Sequence, residues 1–199
     1  MKFLWCDIET TGLETSNAAP FQIAFIFVYS GKENGKLIKD ESNRVFYLNP
    51  FDIEGVELSE ESTKVHGYTK EMIEAFEPSS IVVPKINEAL NHFYSYRSAE
   101  QMYFCGYNSK KFDYDHMVEL FRKCGFDFEK YFYKQQLDVF DQVKKAGEMR
   151  ILPYLENRKL VTVAKFLGVS LENAHDALGD ITATREVAKA LSNKGVSLF

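Results

Sequence analysis

A mixed α/β sheet with helices on its faces is the architecture this sequence predicts, and three observations predict it. Three extended segments open the chain. Helical periodicity dominates the remainder, and two further short extended segments are interleaved with those helices.

Taken in order, residues 2–8 read as a strand with apolar side chains on both faces, the mark of a central position, and Thr10-Thr11-Gly12 ends it. Residues 21–30 form a second strand. Gly31-Lys32-Glu33-Asn34-Gly35 has hairpin turn chemistry, and the chain returns over 36–48 before stopping at Asn49-Pro50, which makes an antiparallel three-strand meander. Ser59 caps a short helix that Gly67 stops, and Thr69 caps another. A longer helix covers 80–96, with Pro84 tolerable in its first turns. A fourth strand at 101–107 leads into a helix over about 111–124. After a short extended piece at Gln136-Leu137-Asp138, helices recur over 139–146, 158–167 and 176–191. Repeats, low-complexity tracts and linker-like stretches are absent, so residues 1–199 are expected to form a single domain.

Composition narrows the function. With 45% hydrophobic and 27% charged residues the chain is globular, not disordered or fibrous. Its formal net charge is −5, so contact with phosphate must come from local basic clusters or bound cations. The longest apolar run, 21–29, is interrupted by Gln22 and falls well short of the ~20 residues that span a bilayer. No membrane partner is expected. The first residues reach Asp7 before a signal-length apolar segment develops, which predicts a cytoplasmic location. Cys6, Cys105 and Cys124 are widely spaced among apolar neighbours, as buried thiols are.

Against this background several acids occupy positions where apolar residues belong. Alternation puts Phe3, Trp5, Asp7 and Glu9 on one face of the first strand, with Leu4, Cys6 and Ile8 on the other. Both carboxylates project together at the strand's C-terminal end, where open α/β sheets bind ligands; acids simply leaving the core give the same pattern. In the helix after strand four, Asp113 precedes Met117, Leu120, Phe121 and Cys124 on the inward stripe, whereas Asp115 joins Glu119 and Arg122 on the polar face. A place near the helix N-terminus also suits Asp113 as a dipole-stabilising residue. On the last helix Asp180 falls on the side of Ile181, Thr184, Val187, Ala188 and Leu191, while Asp176 stands where an N-cap belongs and His175 just outside. Several inward carboxylates are costly unless they gather around cations, and an all-oxygen donor set points to Mg²⁺ or Mn²⁺ in a two-metal hydrolytic centre. Unrelated helix-end and ion-pair acids are the alternative.

Asp7-Ile8-Glu9-Thr10-Thr11-Gly12-Leu13 resembles the first motif of the DEDD 3′-to-5′ exonuclease superfamily, whose members share a ribonuclease-H-like fold. Gly106-Tyr107-Asn108-Ser109-Lys110-Lys111-Phe112-Asp113 resembles its second motif and Asn173-Ala174-His175-Asp176-Ala177-Leu178-Gly179-Asp180 its third. Three motifs in order are far more specific than one. A histidine five residues before the last aspartate is similar to the His-containing branch, and the motif wording is most similar to the nuclease domain of bacterial exonuclease I.

The resemblance implies that Asp7, Glu9, Asp113 and Asp180 hold two Mg²⁺ ions, replaceable by Mn²⁺, and that His175 is the general base. It implies release of nucleoside 5′-monophosphates from a single strand with a free 3′ end, DNA being favoured over RNA. Thr10, Thr11 and Gly12 would approach the terminal nucleotide, Leu13 would wedge against the last base, and Asn108 and Phe112 would shape the pocket. Tyr107 is the stacking candidate, His66 a weaker contact that a helix stop explains nearly as well. Lys110 and Lys111 would face phosphate or be solvated. The segment 126–133 is left as strand grip, partner patch or packed loop. A proofreading subunit docked on a polymerase or repair partner, an RNA-trimming exoribonuclease and a non-catalytic strand-end-binding module are the alternative functions.

Overall fold

The computed structural model describes residues 1–33, 36–171 and 176–198. Its centre is β1 (Lys2–Thr10), whose apolar residues on both faces are buried under helices. The antiparallel strands β2 (Pro20–Glu33) and β3 (Lys36–Tyr47) complete one side of the sheet. On the other side β4 (Tyr103–Gly106) and β5 (Leu137–Asp138) pair in parallel, giving the order β3-β2-β1-β4-β5. This is the mixed sheet the sequence predicts.

Each face of β1 feeds its own core. Leu4, Cys6 and Ile8 pack beneath α3 (Ser79–Ser95) and α4 (Asp113–Lys123). Trp5 packs on the opposite side against α5 (Val139–Glu148), α6 (Leu160–Leu167) and α7 (Ala177–Asn193). The helix starts follow capping chemistry. Ser59 accepts from the Ser62 N–H at the head of α1 (Glu60–His66), and Thr69 accepts from Met72 at the head of α2 (Lys70–Glu74). Asp138 and Asp176 do the same for α5 and α7. Pro84 lies inside α3, but the carbonyl it leaves without an N–H belongs to exposed Ser80, which water reaches.

Differences from the expected elements are local. The β2–β3 ladder continues through Gly31↔Ile38 to Glu33↔Lys36, so the first three residues of the expected turn are strand; Asn34 and Gly35 lie outside the described residues. Segment 126–133 is a packed loop around a 3₁₀ turn at Glu129–Tyr131, with Phe128, Tyr131 and Phe132 buried among the rings of the α3/α4 core. Cys6 and Cys105 are buried and Cys124 is half-buried, all as free thiols. Among the described residues, no helix is long and apolar enough to cross a membrane.

Candidate active site

The C-terminal end of β1 gathers acids from three elements. Strand alternation turns Asp7 and Glu9 toward the α7 side, and Asp180 in the first turn of α7 comes to meet them. One carboxylate oxygen from each of Asp7, Glu9 and Asp180 lies within 4.8 Å of the others. Asp113 approaches from the opposite layer at the first position of α4. It is 6% exposed, and the backbone N–H groups of Ile8 and of Asp113 itself favour its ionised form. Its neighbour Asp115 is exposed, so the helical argument selects the inward residue correctly.

Among the described residues, the electrostatics of this cluster are dominated by repulsion between its own carboxylates. Desolvation, reinforced by the charges of Asp113, Asp180, Glu9 and Asp176, holds the Asp7 carboxyl well above the usual carboxylate range. Glu9 is pushed up to about 8, first by burial and then by Asp180, Asp113 and Asp176. For Asp113, burial wins over the stabilising N–H bonds and the value rises to about 7, with Asp138 adding repulsion. Such a set of oxygens fits a hard divalent cation, whose charge offsets the repulsion among them.

The surrounding frame has specific supports. At Gly106 the chain leaves β4 so tightly that an added Cβ would sit 2.5 Å from the Ser109 Oγ and 3.0 Å from the Cys6 carbonyl oxygen. Asn108 then takes a left-handed conformation (φ 56°), and its N–H donates to the Asp138 carboxylate at 2.7 Å. The same Asp138 oxygen accepts from the Phe140 N–H at 2.9 Å, so one acid ties the second motif to the start of α5. Gly12 has a packing reason as well: its Cβ would lie 3.1 Å from that of Ala18. Thr11 is fully buried and accepts from the Ala19 N–H; the Thr10 hydroxyl donates to the Gly12 carbonyl. Leu13 is left 73% exposed beside this turn.

Other expected residues are differently engaged. The His66 Nδ1 accepts from the Tyr68 N–H, and its ring meets Phe21 edge-on at 4.7 Å. The Tyr107 hydroxyl donates to the Arg158 carbonyl and its ring leans on Phe140, which leaves less of it for stacking. Phe112 packs on His116 at 4.5 Å. Lys110 pairs with Asp141 at 2.5 Å, whereas Lys111 is exposed. His175 lies outside the described residues.

Three supports escape a reading of the sequence. Gln22, with no exposed surface, faces Glu9 across the β1–β2 ladder. Its Nε2 donates to Asp176 at 2.7 Å and lies 3.0 Å from the Tyr47 hydroxyl, and its Oε1 accepts from the Ala177 N–H. The signal was present as a polar residue inside an apolar run. Asp138 stood next to a predicted helix start, and His116, its Nδ1 3.0 Å from the Phe112 carbonyl oxygen, sat one residue from the apolar stripe.

The exonuclease family described as RNase_T matches residues 4–188, from β1 into the last helix. The chain belongs to this family. Within it, the fold is that of exonuclease I. The zinc-bound complex of E. coli exonuclease I with single-stranded DNA superposes with a TM-score of 0.79 at 22% identity, covering 100% of this chain and 42% of that one. The E. coli enzyme with a dT13 oligonucleotide gives 0.75 at 22% identity, covering 98% and 41%. Exonuclease I in complex with SSB-Ct gives 0.74 at 20%, covering 96% and 41%. This chain therefore spans about two fifths of the length of those proteins. No curated protein sequence matches it.

Proposed function

We propose that residues 1–199 act as a single exonuclease domain that trims single-stranded nucleic acid, DNA in preference to RNA, from its 3′ end. The convergence of the Asp7, Glu9 and Asp180 oxygens within 4.8 Å carries the reading. Asp7, Glu9 and Asp180 would hold the divalent ions, Mg²⁺ or Mn²⁺, with Asp113 completing the set directly or through water. Such ions, when bound, stabilise charge on a phosphodiester and make water a better nucleophile near neutral pH.

The chain's own residues do the rest. His175, one residue before the Asp176 cap in sequence, takes the proton of the attacking water; an imidazole, with an ordinary pKa of about 6.5, suits that transfer. The P–O3′ bond breaks, and the product is a nucleoside 5′-monophosphate. The turn at Thr10, Thr11 and Gly12 places backbone groups beside the terminal nucleotide, and exposed Leu13 is available to meet its base. Asn108 and Phe112 bound the pocket from the second motif. The single-stranded DNA in the exonuclease I complexes supports DNA as substrate.

A 5′-labelled single strand incubated with Mg²⁺ is expected to give a ladder of one-nucleotide steps, and blocking the 3′ hydroxyl is expected to slow it. Asp7→Ala removes the ladder; Asp115→Ala retains it. Binding of the strand without release of mononucleotide in either Mg²⁺ or Mn²⁺ would overturn the reading. Rates on matched single-stranded DNA, single-stranded RNA and duplex rank the substrates.

A further inference from the structure

Outside the acid cluster, a cleft of about 860 Å³ lies along α5, and its lining includes Phe140, Val143, Arg150, Tyr154, Glu156 and Arg158. Asp138 links the two regions. Its charge acts on Asp113, and its carboxylate receives the N–H groups of Asn108 from the second motif and Phe140 from the cleft wall. Tyr107 spans the boundary, its ring against Phe140 and its hydroxyl on the Arg158 carbonyl.

The charges in this cleft differ from those elsewhere. The chain has six arginines. Arg97, Arg122 and Arg185 pair with Asp40, Glu119 and Glu41, and Arg44 bonds to the Asn43 carbonyl. Among the described residues, the guanidinium groups of Arg150 and Arg158 have no hydrogen-bond or carboxylate partner. Both line the cleft, and an Arg158 terminal nitrogen lies over Gly147, 3.8 Å from where that residue's Cβ would be. Two lysines beside the second motif and α5 are already committed, Lys110 and Lys144 both to Asp141. Tyr154 is 96% exposed between the two arginines in sequence. Two guanidiniums without a carboxylate partner and an open aromatic ring in one cleft, against the single carboxylate of Glu156, suit an unpaired polynucleotide: cations for the phosphates, a π-face for a base.

We propose that this cleft holds the stretch of single strand on the 5′ side of the scissile bond, with Arg150 and Arg158 on its phosphates and Tyr154 stacked on a base. The proposal rests on the nuclease reading above and adds a second binding region to it. A short substrate reaches the acids alone; one of about a dozen nucleotides also fills the cleft.

The test is the ratio of kcat/KM for a dozen-nucleotide single-stranded DNA over a dinucleotide, read with salt dependence. In Arg150→Ala/Arg158→Ala the ratio is expected to fall about tenfold, and the log–log salt slope for the long strand to shrink by about 0.7 for each arginine removed. Tyr154→Ala is expected to lower the ratio roughly fivefold or more, with Tyr154→Phe and Tyr154→Trp restoring it because they keep the ring. Circular dichroism melts verify that the variants fold, as the exposure of these side chains predicts. A wild-type ratio and salt slope in the double variant, with the ladder intact, would overturn the cleft assignment and leave the nuclease reading standing. A wild-type protein with no ladder on any strand would fail that reading instead, and direct binding of the long strand by fluorescence anisotropy would still judge the cleft. An equal loss on dinucleotide and long strand would place the arginines at the acids and overturn the proposal too.

Discussion

The two ends of β1 bury opposite charges in opposite ways. At the N-terminal end Lys2 has no exposed surface, yet its ammonium donates to the Tyr94 carbonyl at 2.6 Å and to that of Ser98. Burial lowers its pKa, and the charge of Glu100 works in the opposite sense. At the C-terminal end, five residues on, Asp7 and Glu9 face Asp113, Asp180 and Asp176, and among the described residues the charges that act on them are of the same sign. A buried charge with its partners in place holds a fold together; one that the fold leaves repelled is kept for something that arrives later. Arg185 and Glu41, which join α7 to β3, belong with Lys2 in this contrast.

The largest effect expected from breaking the contrast is on activity. Asp7→Asn should cost at least about a hundredfold in hydrolysis, as loss of one preorganised electrostatic group does. It should also raise the melting temperature of the metal-free protein at pH 8, because the amide resembles the protonated form that the site favours. A melting curve and a gel assay on one preparation check both; a variant that lost activity and stability together would make Asp7 a structural acid.

Next comes pH. Glu9, Asp113 and Asp7 have raised values, so between their unfolded values near 4 and the folded values of about 7 and 8 the folded state keeps protons that the unfolded state has lost. Stability of the metal-free protein should therefore fall as pH rises through that window, by up to ~1.4 kcal/mol per pH unit for each acid. Millimolar Mn²⁺ should flatten the slope, since ligation favours the ionised form. Thermal melts from pH 4.5 to 8.5 with and without the ion measure this, and a flat metal-free profile would remove the repulsion argument.

The converse substitution at the other end is smaller. Lys2→Met keeps the aliphatic stem but leaves the Tyr94 and Ser98 carbonyls without their donor, which costs about 1–3 kcal/mol. Denaturant unfolding should show that loss, while kcat/KM below the melting transition changes little.

What was readable beforehand follows the same division. Period-2 alternation separated the Trp5–Asp7–Glu9 face of β1 from the Leu4–Cys6–Ile8 face, and Trp5 on the one and Leu4, Cys6 and Ile8 on the other are buried under helices as expected. Period 3.6 chose Asp113 over Asp115 because a helix turns its faces predictably. The Asp176 cap was legible for the same local reason. Arg150 and Arg158 were not, since they sit between α5 and α6, where no period tells which side chains meet. Gln22 was visible only as an interruption, because its partners Asp176 and Ala177 lie more than 150 residues away.

Gln22 also gives the finest test of the contrast, since it is the neutral group that holds an acid at the repelled end. Its Nε2 donates to Asp176 and its Oε1 accepts from the Ala177 N–H, so it fixes the first turn of α7, which carries Asp180. Gln22→Glu keeps the acceptor for Ala177 but sets a second carboxylate against Asp176. Activity should drop several-fold, with a higher Mn²⁺ concentration needed for half-saturation and a lower melting temperature. Adding Asp176→Asn supplies an amide donor to the new carboxylate and still caps the helix, because asparagine is an equally good N-cap. The double variant should recover much of both losses, a non-additivity of about 0.5–3 kcal/mol in the melting data. Simple addition of the two single effects would mean that the Gln22–Asp176 bond does not position α7, and that the acids converge through packing of that helix alone.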